Sequence, residues 1–355
     1  MARKRRNHFI PRMLLKRFAS KLSADGDKHF IWRYEKGEAP REISTKDAAV
    51  AKDFYGEDDD ELENSFVALE GAHSSALREI DAGSFAFESR SVFLADMVWL
   101  LAMRTQANRG MMHGSVQAAM RETARQLPSP RARRFMKRSM DQKWGEHFAQ
   151  LPEHQRFFLG LPEAQEMLRV AKKQFFEETS KAFGNFVDGF LADPEIPGFM
   201  RDSHNKGLSE LIGNGAKCPP AKSPASWSFI AGDNSQLVLG DSCVFARNSG
   251  GKIVSLIGGE DVAQLYFPIS PNGVLVGHFG SPGEILSLAE ISAASVAFST
   301  KYLFADRYSE SLAGLVERTI GTRAHMLQPG EEKALVSSLW TATKPKLEGP
   351  DGRSI

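Results

Sequence analysis

The chain opens Met1-Ala-Arg-Lys-Arg-Arg-Asn-His-Phe-Ile-Pro-Arg-Met-Leu-Leu-Lys-Arg-Phe18. Four consecutive basic residues, Arg3, Lys4, Arg5 and Arg6, run straight into Asn7-His8-Phe9-Ile10-Pro11-Arg12. A start this polar usually frays. Here Leu14, Leu15 and Phe18 follow at helical spacing, and an unpacked tail gains nothing from apolar periodicity. Pro11 biases Ile10 away from helix. The stretch therefore predicts an extended start feeding a short helix, ordered from about His8 and packed into the body.

Outward from there, His29 to Tyr34 alternates as a strand, and Gly37-Glu-Ala-Pro40 marks a turn. Residues 44–55 read as a short helix ending in Asp53-Phe54-Tyr55-Gly56. The acidic run Glu57 to Glu61 opens a helix through about residue 81, where acidic side chains suit the first turn. Residues 89–126 carry helical periodicity, and the Pro-Ser-Pro of 128–130 closes them. Helical patterns resume over 131–148 and 163–192, the second just after Pro162. Residues 193–226, rich in Gly, Pro and Ser, read as a long connection. Short β-rich runs follow over 227–280, then helix over 284–319. The expected class is α+β: a mostly helical body with a small mixed or antiparallel sheet built from N-terminal and C-terminal segments.

Composition narrows the function classes. The chain has 355 residues, 42% hydrophobic and 25% charged, enough to bury a sizeable core. A net charge of +1 argues against a uniformly basic coat; charge is clustered at residues 3–6 and at Arg131, Arg133 and Arg134, with Lys137 and Arg138 beyond. Cys218 and Cys243 stand far apart, unlike a disulfide framework or a zinc site, and a reducing cytoplasm is the expected location. No apolar stretch of signal-peptide length follows the first basic residues, and the apolar run from Phe93 to Met103, broken by Asp96, is too short to span a bilayer. No phosphate-binding loop, dinucleotide fingerprint, His-Glu-x-x-His or Gly-x-Ser-x-Gly occurs, which removes the common ATPases, dehydrogenases, zincins and serine hydrolases as first choices. Nucleases that use scattered His, Arg and carboxylates remain.

The order of motifs resembles the DUF4238 family, mainly bacterial and fungal proteins grouped as a domain of unknown function. The family start is similar to His-Tyr-Val/Ile-Pro-Arg-x-x-Leu-x-x-Phe, matched by His8-Phe9-Ile10-Pro11-Arg12, Leu15 and Phe18. An aromatic strand, here His29 to Tyr34, and an Asp-Phe-Tyr element, here Asp53-Phe54-Tyr55, follow in the family order. Next come a helix with acidic positions, here Glu61, Glu63 and Glu70, and an apolar helix ending in Arg104-Thr105. Where the family has Ser-Asp-Asn-Pro after a short strand, this chain has Gly240-Asp241-Ser242-Cys243; Asp241 matches and its neighbours do not. A Pro-Leu-Ser-Pro element is similar to Pro268-Ile269-Ser270-Pro271. The resemblance implies one domain over residues 1–310, with a helical part over 8–192, the connection over 193–226 and a β-rich part over 227–280. A C-terminal helical segment over 284–340 and a disordered tail over 341–355 complete the expectation.

Each candidate residue carries two readings. His8 is a proton-transfer group by its ordinary pKa near ~6.5, or a turn cap pinning the N-terminus. Glu63 and Glu70, seven apart on one helix face, lie about 10.5 Å apart along the axis, so one of them is free to meet Arg104 or His8. Arg104 ends an apolar run, where a guanidinium is costly to bury alone; it either grips phosphate or carboxylate, or pairs with Glu70 or Asp241. Asp241 follows a strand, a place for a catalytic carboxylate or for a turn.

The first functional expectation is a nuclease-like enzyme acting on RNA or DNA, in bacterial defence or as a toxin. His8 would be the acid/base, Arg12 and Arg104 would hold the phosphate, and Glu70 or Asp241 would orient His8 or bind a divalent metal, Mg²⁺ or Mn²⁺. Arg3, Lys4, Arg5, Arg6, Arg131, Arg133 and Arg134 would contact the nucleic-acid backbone. The second is a non-catalytic module that captures an anionic ligand or a protein partner, such as one encoded nearby. Neither expectation includes a membrane.

Overall fold

The computed structural model describes residues 6–23, 26, 28–52, 54–55, 60–153, 159, 162–232, 237–281, 283–327 and 330–341. Arg3, Lys4, Arg5, Asp53 and the tail beyond Thr341 lie outside them. The chain divides into two compact units, Met1–Gly114 with Pro197–Leu327, and Ser115–Ile196 with Gln328–Ile355.

In the first unit β1 (Arg6–His8) leads to Pro11, whose fixed φ of −53° opens α1 (Arg12–Arg17). The Pro11 carbonyl accepts from the Leu14 and Leu15 amides, so the helix starts without a side-chain cap. Phe9, Ile10, Leu14, Leu15 and Phe18 are all buried in the main core. The polar start is thus held by its apolar continuation. β2 (Lys21–Leu22), β3 (His29–Glu35) and β4 (Glu38–Ser44) follow, β3 and β4 joined by a tight turn in which Gly37 takes φ +76°, a value glycine adopts without strain. Residues 44–55 depart from the expected helix: a turn over 45–49 leads to β5 (Val50–Lys52), which pairs antiparallel with β1 at Arg6↔Lys52, Asn7↔Ala51 and His8↔Val50. A stretch this short has no apolar stripe to bury, and pairing β1 satisfies its backbone instead.

The helices α2 (Asp60–Asp81), α3 (Ser91–Arg104) and the first part of α4 (Gln106–Gln126) come next. α3 is apolar nearly all round and correspondingly buried. α7 (Ile196–Gly213) fills much of the expected connection; its Gly and Pro residues imitate a loop, yet Pro197 sits in the first turn, where its missing N–H costs nothing. The β-rich part forms an antiparallel sheet in the order β6-β11-β10-β8-β9, from β6 (Ser226–Ala231), β8 (Phe245–Asn248), β9 (Ile253–Val254), β10 (Val262–Ser270) and β11 (Gly273–His278). The second sheet joins distant parts of the chain. β3 pairs with β2, β4 and β12 (Tyr302–Ala305), and β12 pairs with β7 (Leu239–Gly240), all antiparallel. The helix expected over 284–319 is therefore split into α8 (Leu288–Phe298), β12 and α9 (Glu310–Thr319). α8 opens on a capping box between Ser287 and Glu290. Its far end approaches β7 so closely that a Cβ on Gly240 would sit 2.4 Å from Ser299 Oγ.

In the second unit the rest of α4 and the helices α5 (Pro130–Gln150), α6 (Pro162–Ala192) and α10 (Glu331–Leu339) meet at a small core of Leu127, Ala132, Val336 and Trp340. Gln126 Oε1 accepts from both Trp340 Nε1 (3.1 Å) and Ser337 Oγ (3.2 Å). Among the described residues no helix is long and apolar enough to cross a membrane. Leu14 has no solvent exposure, so Leu14→Ala should cost about 2–5 kcal/mol through lost burial and the cavity left behind. Chemical denaturation checks this, and an unchanged midpoint would show that the segment is not part of the core.

Candidate functional site

The site is organised by a guanidinium. Arg104 stands at the end of α3, where the last helical carbonyls favour a cation. It is buried, and each nitrogen of its fork has a partner. Nη1 donates to Glu70 Oε1 at 2.8 Å, Nη2 to the His8 carbonyl at 3.0 Å and Nε to the Tyr55 hydroxyl at 3.2 Å. The Phe66 ring lies below it, 4.0 Å from Cζ to centroid. Burial works against its charge; Tyr55 and Glu70 more than offset that and hold its pKa above the ordinary value. The Arg-Thr dipeptide has a local role as well. Thr105 Oγ1 donates to the Ala102 carbonyl and accepts from the Asn108 amide, closing α3 and capping α4.

The structure brings His8, Glu70 and Arg104 together. Glu63 and Glu70 both face the N-terminal strand, as their seven-residue spacing requires: Glu63 accepts from Asn7 Nδ2 at 2.7 Å while Glu70 takes Arg104. Asn7 Oδ1 in turn accepts the Phe54 amide, and the Tyr55 hydroxyl donates to the His8 carbonyl at 3.3 Å. The His8 ring lies 3.1 Å from the Thr45 carbonyl through Nε2. A carbonyl only accepts, so Nε2 carries the proton and Nδ1 keeps its lone pair. Burial is the largest cause lowering the His8 pKa; the Thr45 contact opposes it, and the charges of Arg12 and Arg104 add to it. His8 is therefore a neutral imidazole at pH 7.

Asp241 is placed apart from this group. Its Oδ1 accepts the Thr300 amide at 2.8 Å; its Oδ2 accepts the Thr300 hydroxyl and the Lys301 and Tyr302 amides at 2.8–3.0 Å. It pins the turn between α8 and β12. Burial pushes its pKa up, and these donors pull it back. The Asp-Phe-Tyr element meets a second buried arginine that the sequence analysis did not single out. Arg109 donates to the Phe54 carbonyl at 3.0 Å and to Asn205 Oδ1 at 2.7 Å, and its guanidinium lies 3.7 Å from the Phe54 ring centroid. Burial pushes its pKa down to about 10. Its position one turn past Arg104 on a helical pattern was the available signal.

Arg12 differs from both. It is half-buried at the start of α1, and its Nε is sealed from solvent without a partner. It lines a cleft of about 310 Å³ together with Lys16, Arg17 and Arg78, over a floor of Met13 and Leu77, with the Ser74 hydroxyl at the edge. Arg17 is engaged by Asp81 at 2.7 Å and the Ile269 carbonyl at 2.6 Å. Among the described residues Arg12 and Lys16 make no ion pair, and no carboxylate lines the cleft. His29 stands nearby in charge terms: burial first, then Lys16 and Arg12, lower its pKa.

Of the expected nucleic-acid contacts, Arg6 is paired with Asp47 at 2.9 Å. Arg131 and Arg134 share a face of α5, whereas Arg133 turns toward the Phe176 ring of α6. Among the described residues no three His, Cys, Asp or Glu side chains come together to hold a metal ion. Cys218 and Cys243 are free thiols.

A family model described as a protein of unknown function (DUF4238) matches residues 6–298. The chain belongs to the DUF4238 family. Within it, the His-x-x-Pro-Arg start, the Phe-Tyr of Asp-Phe-Tyr, the acidic helix and Arg-Thr are one constellation in space, knotted at Arg104. No curated protein and no solved structure matches the chain.

Truncating Arg104 takes from half-buried Glu70 its guanidinium partner, leaves the His8 carbonyl with the Tyr55 hydroxyl alone, and opens a gap over Phe66. Arg104→Ala should therefore cost about 3–5 kcal/mol in chemical denaturation. A cost no greater than that of Arg125→Ala, a surface arginine, would show that the fork is dispensable. Two further histidines set the acid side of stability. His73 and His204 are buried, and burial foremost, aided by Arg104 and Arg109 respectively, pushes both pKa values down to about 4. Both are neutral in the fold and gain a proton when the chain unfolds in acid. The stability they contribute is full above the ordinary value of 6.5 and is lost as pH falls toward 4, by about 3 kcal/mol for each. Denaturation between pH 7 and 4.5 should show a shallower loss for a His73→Leu, His204→Leu variant than for the parent, and parallel curves would refute the assignment.

Proposed function

We propose that this DUF4238 protein captures a phosphate-bearing anion in the cleft between α1 and α2. One observation carries the reading: among the described residues Arg12, half-buried with its Nε sealed and unpartnered, lies with three further cations and no carboxylate in the lining. An unpaired, partly desolvated guanidinium destabilises the free fold and is answered by an incoming anion. Its planar fork suits two oxygens of a phosphate, and Ser74 supplies a further donor. In this reading Arg104 and Glu70 position the strand that leads into Pro11 and Arg12, and Asp241 holds the β12 turn.

A second reading, phosphoester cleavage, is favoured by His8. Its Nδ1 is an unprotonated acceptor at neutral pH, in electrostatic reach of Arg12. On that reading the protein is a cytoplasmic nuclease of RNA or DNA in bacterial defence, or a toxin, with Mg²⁺ or Mn²⁺ as a metal to be tested.

Titration calorimetry with inorganic pyrophosphate and with a mononucleotide tests the first reading. The parent should bind. Arg12→Gln should weaken binding at least tenfold, about 1.4 kcal/mol, and Arg125→Gln should leave it unchanged. Equal binding by Arg12→Gln, or no binding of either probe by the parent, would overturn it. Incubation with RNA, single-stranded DNA and duplex DNA, with Mg²⁺, Mn²⁺ or chelator, tests the second. His8→Ala should abolish turnover with the fold retained; cleavage at the parent rate by that variant removes His8 as the base.

A further inference from the structure

The second unit carries a charge arrangement that its own helix does not explain. Along α5 five cations, Arg131, Arg133, Arg134, Lys137 and Arg138, precede the first carboxylate, Asp141. They occupy the opening turns, where the helix dipole disfavours positive charge, and neighbours three and four apart repel one another. Asp141, three and four residues past Arg138 and Lys137, is the single counter-charge on this face, and it is shared with Lys172 at 2.7 Å. Among the described residues the side chains of Arg131, Arg134, Lys137 and Arg138 make no hydrogen bond or ion pair. At about 100° per residue these four fall within an arc of about 120°. With Asp141, Trp340 and Thr341 they line an open groove of about 580 Å³, in which the one carboxylate of the described lining is the one that pairs with Lys172. Trp340 is a rigid wall, held by Gln126 and by an edge-on contact with Phe135 at 5.7 Å.

We infer that this groove docks the phosphodiester backbone of a nucleic-acid strand. Four unpaired cations set against the dipole destabilise the free helix, and a row of phosphates removes both penalties. Arg131 to Arg138 spans about 10.5 Å along the helix axis, close to the axial rise of about three phosphates of one duplex strand, at about 3.4 Å each. Three of the four cations are arginines, whose forks match phosphate oxygens. A concave groove whose only large apolar side chain is the buried Trp340 fits a strand and offers nothing to insert into a bilayer. The contacts are to backbone, so binding is independent of sequence. This surface is separate from the Arg12 cleft and goes beyond the capture proposed there.

The test is fluorescence anisotropy with labelled 20-nucleotide single-stranded DNA, the matching RNA and the 20-base-pair duplex, between 50 and 200 mM KCl. The parent should bind at low salt with a steep salt dependence. Arg131→Gln, Arg134→Gln, Arg138→Gln combined should weaken binding at least tenfold and flatten the salt slope by about 2 to 3, with thermal stability equal or higher because repulsion is removed. The same three positions as Lys should keep the salt slope, and Arg133→Gln should bind as the parent does. Unchanged binding by the triple Gln variant overturns the proposal. So does failure of the parent to bind any of the three, or binding only to phosphatidylserine vesicles. A triple Gln variant that loses thermal stability shows the arginines to be structural and also overturns it. Loss of pyrophosphate binding in Arg12→Gln alone bears on the cleft and leaves this groove untouched.

Discussion

A guanidinium is costly to bury without partners, and answering the three nitrogens of Arg104 organises the first unit. The answers for Arg104 come from three separated parts of the chain: Glu70 on a helix, the carbonyl of His8 on the first strand and the hydroxyl of Tyr55 beyond the fifth. Each is costly to move, because a displaced partner leaves a buried charge or an unsatisfied polar atom. Three pieces of backbone with no sequence proximity are thereby fixed relative to one another. The family-like motifs, scattered over some hundred residues, are the parts of this one arrangement.

Around the charge runs an apolar continuation. Ring contacts pass from Tyr302 to Phe9, Phe54, Tyr55 and Phe66 at centroid separations of 5.1–6.4 Å. One arginine lies over each of two of these rings, Arg109 on Phe54 and Arg104 on Phe66. The arrangement lets a cation keep favourable electrostatics against a ring face while losing water. It also joins the Asp241 turn to the His8 strand by packing, since Tyr302 opens β12 at that turn and Phe9 directly follows that strand. Asp241 and Arg104 thus serve the same body by different means, one through oriented amides and the other through side-chain partners.

What the sequence made legible follows physical range. The N-terminal segment was readable because Pro11, Leu14, Leu15 and Phe18 act on one another within a few residues. The long helices were readable for the same reason, and the α+β class followed from their order with the β-rich runs. Arg104 as a buried cation was readable from its apolar setting, with Glu70 among its possible partners. Arg109 was not, because its partners Phe54 and Asn205 lie 55 and 96 residues away. α7 was hidden by glycines that serve a helix here, and β12 by its shortness, four residues between two helices. That no described residue partners the Arg12 guanidinium depends on what surrounds it in space, and no local pattern records that.

The pairing of β3 with β12 has a consequence for how the molecule is made. Register runs from Tyr302↔Glu35 to Ala305↔Trp32, so a strand near the start of the chain finds its neighbour only near the end. Such long-range closure raises contact order and slows folding. Synthesis at roughly 5–20 residues per second would separate the emergence of the two strands by on the order of tens of seconds. During that interval the edge of β3 that carries Trp32 and Tyr34 waits without β12. Until the last strand arrives, that edge is an open template on which a neighbouring chain could pair.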